Sequence, residues 1–236
     1  MTAPVTSGTS APTVEQDWAT WGRENARKIL ITGGVLVGLV GGGWLYLSSE
    51  QRKESFASQA LANARSSAEA GNLPLAARDL ASVVQRFGGT KSADAAFILL
   101  SQIRLFQGQR DTAVAGLQQF VRSRHPEYVK ASAYGLLGGG LEDQNKQREA
   151  GDAYRQAAAS APLDFLKAQY LIDAGRALAA GGDTTGARAA LAEVLEKYAE
   201  LDQAAEARVR MAEIGGTVPP PPTPRRNPAG RRPAAG

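Results

Sequence analysis

The sequence predicts an all-α protein: a single N-terminal transmembrane helix, then a helical-hairpin solenoid of about four 37-residue repeats closed by a C-terminal capping helix. Three observations predict it. Ala76, Ala113, Ala150 and Ala187 recur at a 37-residue step, each followed four residues later by Leu80, Leu117, Tyr154 or Leu191. A fixed period of this size marks units that bury their apolar faces against their neighbours rather than alone. Segments such as 187–199 place Ala187, Leu191, Val194, Leu195 and Tyr198 on one helical face, while no β-rich run appears. Finally, Ile29–Leu47 comprises 19 residues without a charge.

In chain order, residues 1–28 form a short cytoplasmic tail, rich in Thr, Ser, Ala and Pro up to residue 16 and expected to be disordered there. Residues 29–47 form the anchor, about 28 Å of helix and enough to cross the hydrocarbon core. Arg23, Arg27 and Lys28 bound it on one side, Glu50, Arg52 and Lys53 on the other, and Trp44 and Tyr46 sit at interfacial depth. A cleaved signal peptide would need a shorter apolar core and a small-residue cleavage site, which Tyr46-Leu47-Ser48-Ser49 does not supply. The three basic residues before the span favour that end inside, giving a type II single-pass protein with its repeats outside the cytoplasm. Gly34, Gly38 and Gly42 form a small-xxx-small ladder suited to packing on another membrane helix, although glycine is also common in such spans generally. Residues 48–54 link the anchor to the repeats.

The repeat domain occupies residues 55–215, with Gly71, Gly108, Asn145 and Gly182 marking a turn in each unit. Ahead of each turn lies a second recurring set: Phe97, Leu100, Ser101 and Arg104, then Tyr134, Leu137, Gly138 and Leu141, then Leu171, Ala174, Gly175 and Leu178. The small position Ala64, Ser101, Gly138, Gly175 allows two helices to cross closely. This pattern resembles the tetratricopeptide repeat, W-x2-L-G-x2-Y followed by A-x3-F and P. Pro162 falls on the terminal proline position, Pro126 one residue late, and Gly88 replaces it in the first unit. The 37-residue period exceeds the family's, and Asn63 stands where Leu is expected. A lone helix over 202–214, with Met211 at the Leu position, serves as the cap. Gly138, Gly139 and Gly140 have two readings: close helix approach, or a side-chain-free floor for a partner's backbone.

The resemblance implies a concave groove lined by first-helix residues. Counting from the register gives Ile98, Gln102, Leu105 and Phe106 in the second unit, Gly135 and Gly139 in the third, and Ile172 and Arg176 in the fourth. Leu105 and Phe106 could equally be core residues covered by the next helix.

Nothing points to catalysis. His125 is the single histidine and there is no cysteine, so neither a zinc site nor a His-based triad can be assembled, and no metal or cofactor is expected. His125, before Pro126, reads as a turn residue, and Glu142–Asp143 as a solvated helix end. The glycine runs lack the Lys-Ser or Lys-Thr of a phosphate loop, and no small-molecule substrate is indicated. Residues 216–236 form a disordered Pro/Arg-rich tail whose four arginines equal the chain's net charge of +4, so the repeats sum to neutral and nucleic acid is not an expected partner.

The tail with its paired tryptophans (Trp18, Trp21), the Gly-rich span and the opening at Gln51–Ala64 resemble the YfgM family of bacterial inner-membrane proteins. That resemblance implies a periplasmic solenoid associated with the Sec translocon and with a membrane-anchored periplasmic chaperone or prolyl isomerase. Two alternatives stand beside it: an envelope-assembly or cell-division scaffold, and a regulatory subunit of a periplasmic enzyme.

Overall fold

The computed structural model describes the backbone of residues 26–220, and the side chains of Leu39 and of residues 49–220. The chain divides at Ser55/Phe56 into two units, and the repeats make up the second. The first described element, α1 (Ala26–Glu69), is a single 44-residue helix that contains the 48–54 linker and ends as the first helix of repeat one. Apart from Leu39, the side-chain surroundings of the proposed anchor lie outside the described residues, those at Gly34, Gly38 and Gly42 included. Among the described residues, no helix is long and apolar enough to cross a membrane. The tails at 1–25 and 221–236 also lie outside them.

After α1 come α2 (Leu73–Arg86), α3 (Lys91–Phe106), α4 (Arg110–Arg122), α5 (Glu127–Asp143), α6 (Gln147–Ser160), α7 (Asp164–Ala180), α8 (Thr184–Lys197) and α9 (Gln203–Glu213). Second helices α2, α4, α6 and α8 begin at Leu73, Arg110, Gln147 and Thr184, each 37 residues after the last. The hairpin turns explain this regularity. Gly71, Gly108, Asn145 and Gly182 all adopt positive φ, at 79°, 74°, 60° and 79°. At the third turn Asn145 N–H donates to Glu142 O at 2.8 Å and Lys146 N–H to Leu141 O at 2.9 Å, closing the helix end with paired backbone bonds. Asn145 is the non-glycine of the four, and its short polar side chain is one of the few that tolerate this region.

Packing follows the sequence register. Ala76, Ala113, Ala150 and Ala187 are buried, as are Leu80, Leu117, Tyr154 and Leu191. Gly138 and Gly175 of the first helices are sites of close approach. A Cβ on Gly138 would lie 2.6 Å from the Tyr154 ring, and one on Gly175 2.8 Å from Leu191 Cγ. The largest side chain of the recurring set, Tyr154, thus sits over the residue with none. Two core clusters result: one around Leu61, Leu80, Val83, Leu100 and Ile103, and a larger one from Val114 to Met211. The cap α9 adds Ala204, Ala207 and Met211 to the larger cluster, and Arg188 closes the end by donating twice to Ile214 O.

Candidate partner-binding face

The first helices α3, α5 and α7 present the face on which a partner was expected. Between α3, α5 and the end of α1 lies an open pocket of about 300 Å³. Its floor is apolar, with Ile98, Leu99 and Val129; Gln102 and Tyr128 stand at the rim, and Arg65 and Lys91 supply charge. Helical spacing accounts for the α3 wall, because Lys91, Ala95, the adjacent Ile98 and Leu99, and Gln102 succeed one another at steps of three or four residues along one face. Thr90 sets the start of that helix by capping it, its hydroxyl accepting from Ala93 N–H at 3.1 Å.

The expected groove residues fall in different places. Ile98 and Gln102 line the pocket together. Phe106, at the last turn of α3, is 81% exposed, so it is not a core residue. Leu105 is instead partly buried, and its Cδ2 would lie 3.0 Å from a Cβ on Gly140.

Gly135 is not a bare floor: the Tyr170 ring covers it, and a Cβ there would fall 2.7 Å from Cε1 of that ring. Gly139 has ordinary space, its nearest such neighbour being the Tyr154 hydroxyl at 3.6 Å. Of the two readings of the 138–140 run, helix approach explains Gly138 and Gly140, which receive Tyr154 and the Val114–Leu105 pair. Ile172 is 1% exposed and belongs to the larger core, so it offers no surface to a partner. Ile98 and Ile172 share one repeat position, yet Ile98 lines the pocket and Ile172 is core, so neighbouring side chains rather than the register decide the outcome.

Arg176 is on the surface but engaged. Its guanidinium makes a two-pronged bond to Glu142, with Nη1 to Oε1 at 2.6 Å and Nη2 to Oε2 at 3.0 Å, while Tyr154 Oη donates to Oε2 at 2.8 Å. Glu142 is therefore no solvated helix end, as the sequence suggested, but the joint of α5, α6 and α7. Burial pushes the Tyr154 hydroxyl pKa upward, and the hydrogen bond to Glu142 adds to it. The same carboxylate holds Arg176 more firmly protonated. Asp173, 3.6 Å from Arg176, has its carboxyl pushed up mainly by burial and partly restored by that guanidinium. No water-facing nucleophile or acid–base pair emerges from the cluster; it locks helices.

His125 folds the end of the second repeat back onto that repeat's own two helices. Its ring stacks on Phe120 with centroids 3.7 Å apart, Phe120 stacks on Phe97 at 4.3 Å, and Nδ1 lies 3.0 Å from Asp94 Oδ1. The turn role read from the sequence is thus extended by an aromatic stack. Among the described residues, no group of His, Asp and Glu could hold a metal ion.

Comparison with known families agrees with this architecture. A family model described as tetratricopeptide repeat-like domain matches residues 46–164, half of the chain. The chain belongs to the tetratricopeptide repeat-like family. A second model, tetratricopeptide repeat, matches residues 170–201, so the two together cover 46–201 apart from 165–169. No curated protein matches the chain. Repeats of this family generally serve as non-catalytic scaffolds for protein–protein interaction.

Sequence reasoning missed Tyr128 and Phe165. They stand 37 residues apart, at the same position of consecutive first helices, and are 52% and 48% exposed. The signal was available: the same register that located the buried alanines also aligns these two exposed aromatics with Lys91. Arg65 was missed because it lies beyond the two middle repeats on which the groove had been centred.

Proposed function

We propose that the repeat domain is a scaffold that receives a segment of a protein partner on the face of its first helices. The observation that carries this reading is the apolar-floored pocket at Ile98, Leu99 and Val129 with exposed Tyr128 at its edge, and Phe106 and Phe165 are further exposed aromatics on first helices. Exposed aromatic side chains are unfavourable on a surface that stays wet, and they are enriched where partners dock. In the fuller reading, Ile29–Leu47 anchors the chain in a bacterial inner membrane, and the repeats work in the periplasm beside the Sec translocon, with a membrane-anchored chaperone or isomerase as co-partner. The charge-free span, the basic residues ahead of it and the resemblance to the YfgM family support that placement.

Two experiments test it. A reporter active only in the cytoplasm, fused after Gly236, should be silent, and activity would overturn the orientation. Affinity purification of the full chain from gently solubilised membranes should recover translocon subunits, with less recovered after Gly34, Gly38 and Gly42 are all changed to Leu. Recovery of envelope-division or outer-membrane assembly proteins instead would replace the export reading while leaving the scaffold intact.

A further inference from the structure

The pocket between α1, α3 and α5 has a sign. We propose that it is an acid-selective docking site for an extended segment of a protein partner. In this site an apolar side chain of the segment rests on Ile98, Leu99 and Val129, and flanking carboxylates meet Arg65 and Lys91. The inference rests on the reading of the first-helix face as the partner-binding face.

Three observations carry it. First, the pocket lining holds two cations and no carboxylate. Second, the neutral repeat domain is two oppositely charged halves. Residues 55–126 hold eight Lys and Arg against four Asp and Glu, whereas residues 127–215 hold ten against fourteen. The second half pairs five of its ten cations internally, through Lys130–Glu127, Lys167–Asp164, Arg176–Glu142, Lys197–Glu193 and Arg210–Glu206. In the first half, Arg65 joins no ion pair among the described residues.

Third, the site is not a general property of the repeat. Advancing its residues by 37 replaces Arg65 with Gln102, Lys91 with Tyr128, Ile98 with Gly135 and Gln102 with Gly139. One repeat further on, both cations are gone and Gly135 is roofed by Tyr170. The next repeat therefore does not rebuild this chemistry.

A protein segment fits better than a polyphosphate. The pocket is concave with an apolar floor, and its roughly 300 Å³ is at the lower end of what enclosed ligand groups occupy. A phosphate backbone would use the cations and leave the floor and Tyr128 idle. The chain's own Arg-rich tail has the wrong sign to occupy the site.

The test uses the full chain in mild detergent and three fluorescent probes: a short peptide alternating Glu and Leu, its Lys-for-Glu counterpart, and oligo-dT of equal charge. The acidic peptide should bind, more tightly at low salt, and the basic one should not. Reversing both cations (R65E with K91E) should weaken the acidic peptide roughly tenfold, as the sum of a few exposed charge interactions. Tyr128→Ala should weaken it as well. Both changes are on exposed side chains, and an unchanged melting profile would show that the fold persists. Equal binding of acidic and basic peptides, both weakened by Tyr128→Ala but not by the charge reversal, would overturn acid selectivity and leave the docking face standing. Binding of neither peptide by the folded chain would overturn the docking face itself. Tighter binding of oligo-dT, lost on charge reversal and indifferent to Tyr128→Ala, would make the site a nucleic-acid contact and overturn the proposal.

Discussion

The first two repeats and the last two are built on one template, yet they have opposite surfaces and unequal cores. Residues 55–126 are basic, and their core is divided: α1 to α3 enclose the small cluster around Leu80 and Leu100, while α4 gives Val114 and Leu117 to the larger one. Residues 127–215 are acidic and share one continuous core that runs to the cap at Met211. The difference lies in how the small first-helix position is used. In the third and fourth repeats Gly138 and Gly175 take in Tyr154 and Leu191 directly. In the second, Ser101 keeps a hydroxyl there and satisfies it on Phe97 O at 2.9 Å. Close approach makes the second half a clamp, while the first half keeps an open, charged face. The domain thus separates support from recognition along its length.

Deleting core volume should break the comparison most visibly. Leu80→Ala and Leu191→Ala each remove a fully buried side chain and should cost about 2–5 kcal/mol. The responses should differ in form. Leu191→Ala lowers the midpoint of the main urea transition, whereas Leu80→Ala opens α2 and α3 in an earlier transition, seen as faster amide exchange in those helices. A single shared transition for both variants would show that the two cores unfold as one.

Next in size is the small position itself. Gly138→Val drives a branched side chain into the Tyr154 ring and should cost about 2–3 kcal/mol, measured by denaturant unfolding. Ser101→Ala at the same repeat position should change stability by less than about 0.5 kcal/mol, since it loses only a hydroxyl bonded within its own helix. Equal effects would remove the distinction between clamp and open half.

The Glu142 joint should come third. Glu142→Gln keeps the shape but discharges the acceptor of Arg176 and Tyr154, and should cost about 1–2 kcal/mol, tempered by the partial exposure of Arg176. The pKa of the Tyr154 hydroxyl, followed by ultraviolet titration, should fall in this variant while staying above the usual tyrosine value, because burial is the larger cause of its rise.

The turns should give the smallest effects, with opposite signs. Gly108→Ala places a Cβ at φ 74° and should lose about 1 kcal/mol, while Asn145→Gly at φ 60° should gain a few tenths of a kcal/mol. Thermal melts of the two variants check both signs.

Much of this was legible in the chain. The period fixed hairpin starts, turn glycines and buried alanines, because each depends on spacing within one or two helices. Phe106 illustrates a limit of a different kind, since only its neighbours decide whether a residue at a helix end is covered, and it is exposed. Ile172 and Gly135 show the same limit in reverse: the register placed them on the groove, and neighbouring side chains closed over them. Glu142 was read as a solvated end because its partners, Tyr154 and Arg176, are 12 and 34 residues away.

The sequence by itself determined the helical hairpins, their number and phase, and the charge of each half, since propensity, periodicity and composition are local or additive quantities. Only the tertiary structure decided which glycines are filled, which carboxylate is a joint, and where two cations meet an apolar floor. Those outcomes depend on which side chains from separate helices reach the same few cubic ångströms, and one repeat position can be core in one unit and pocket wall in another, as Ile172 and Ile98 are.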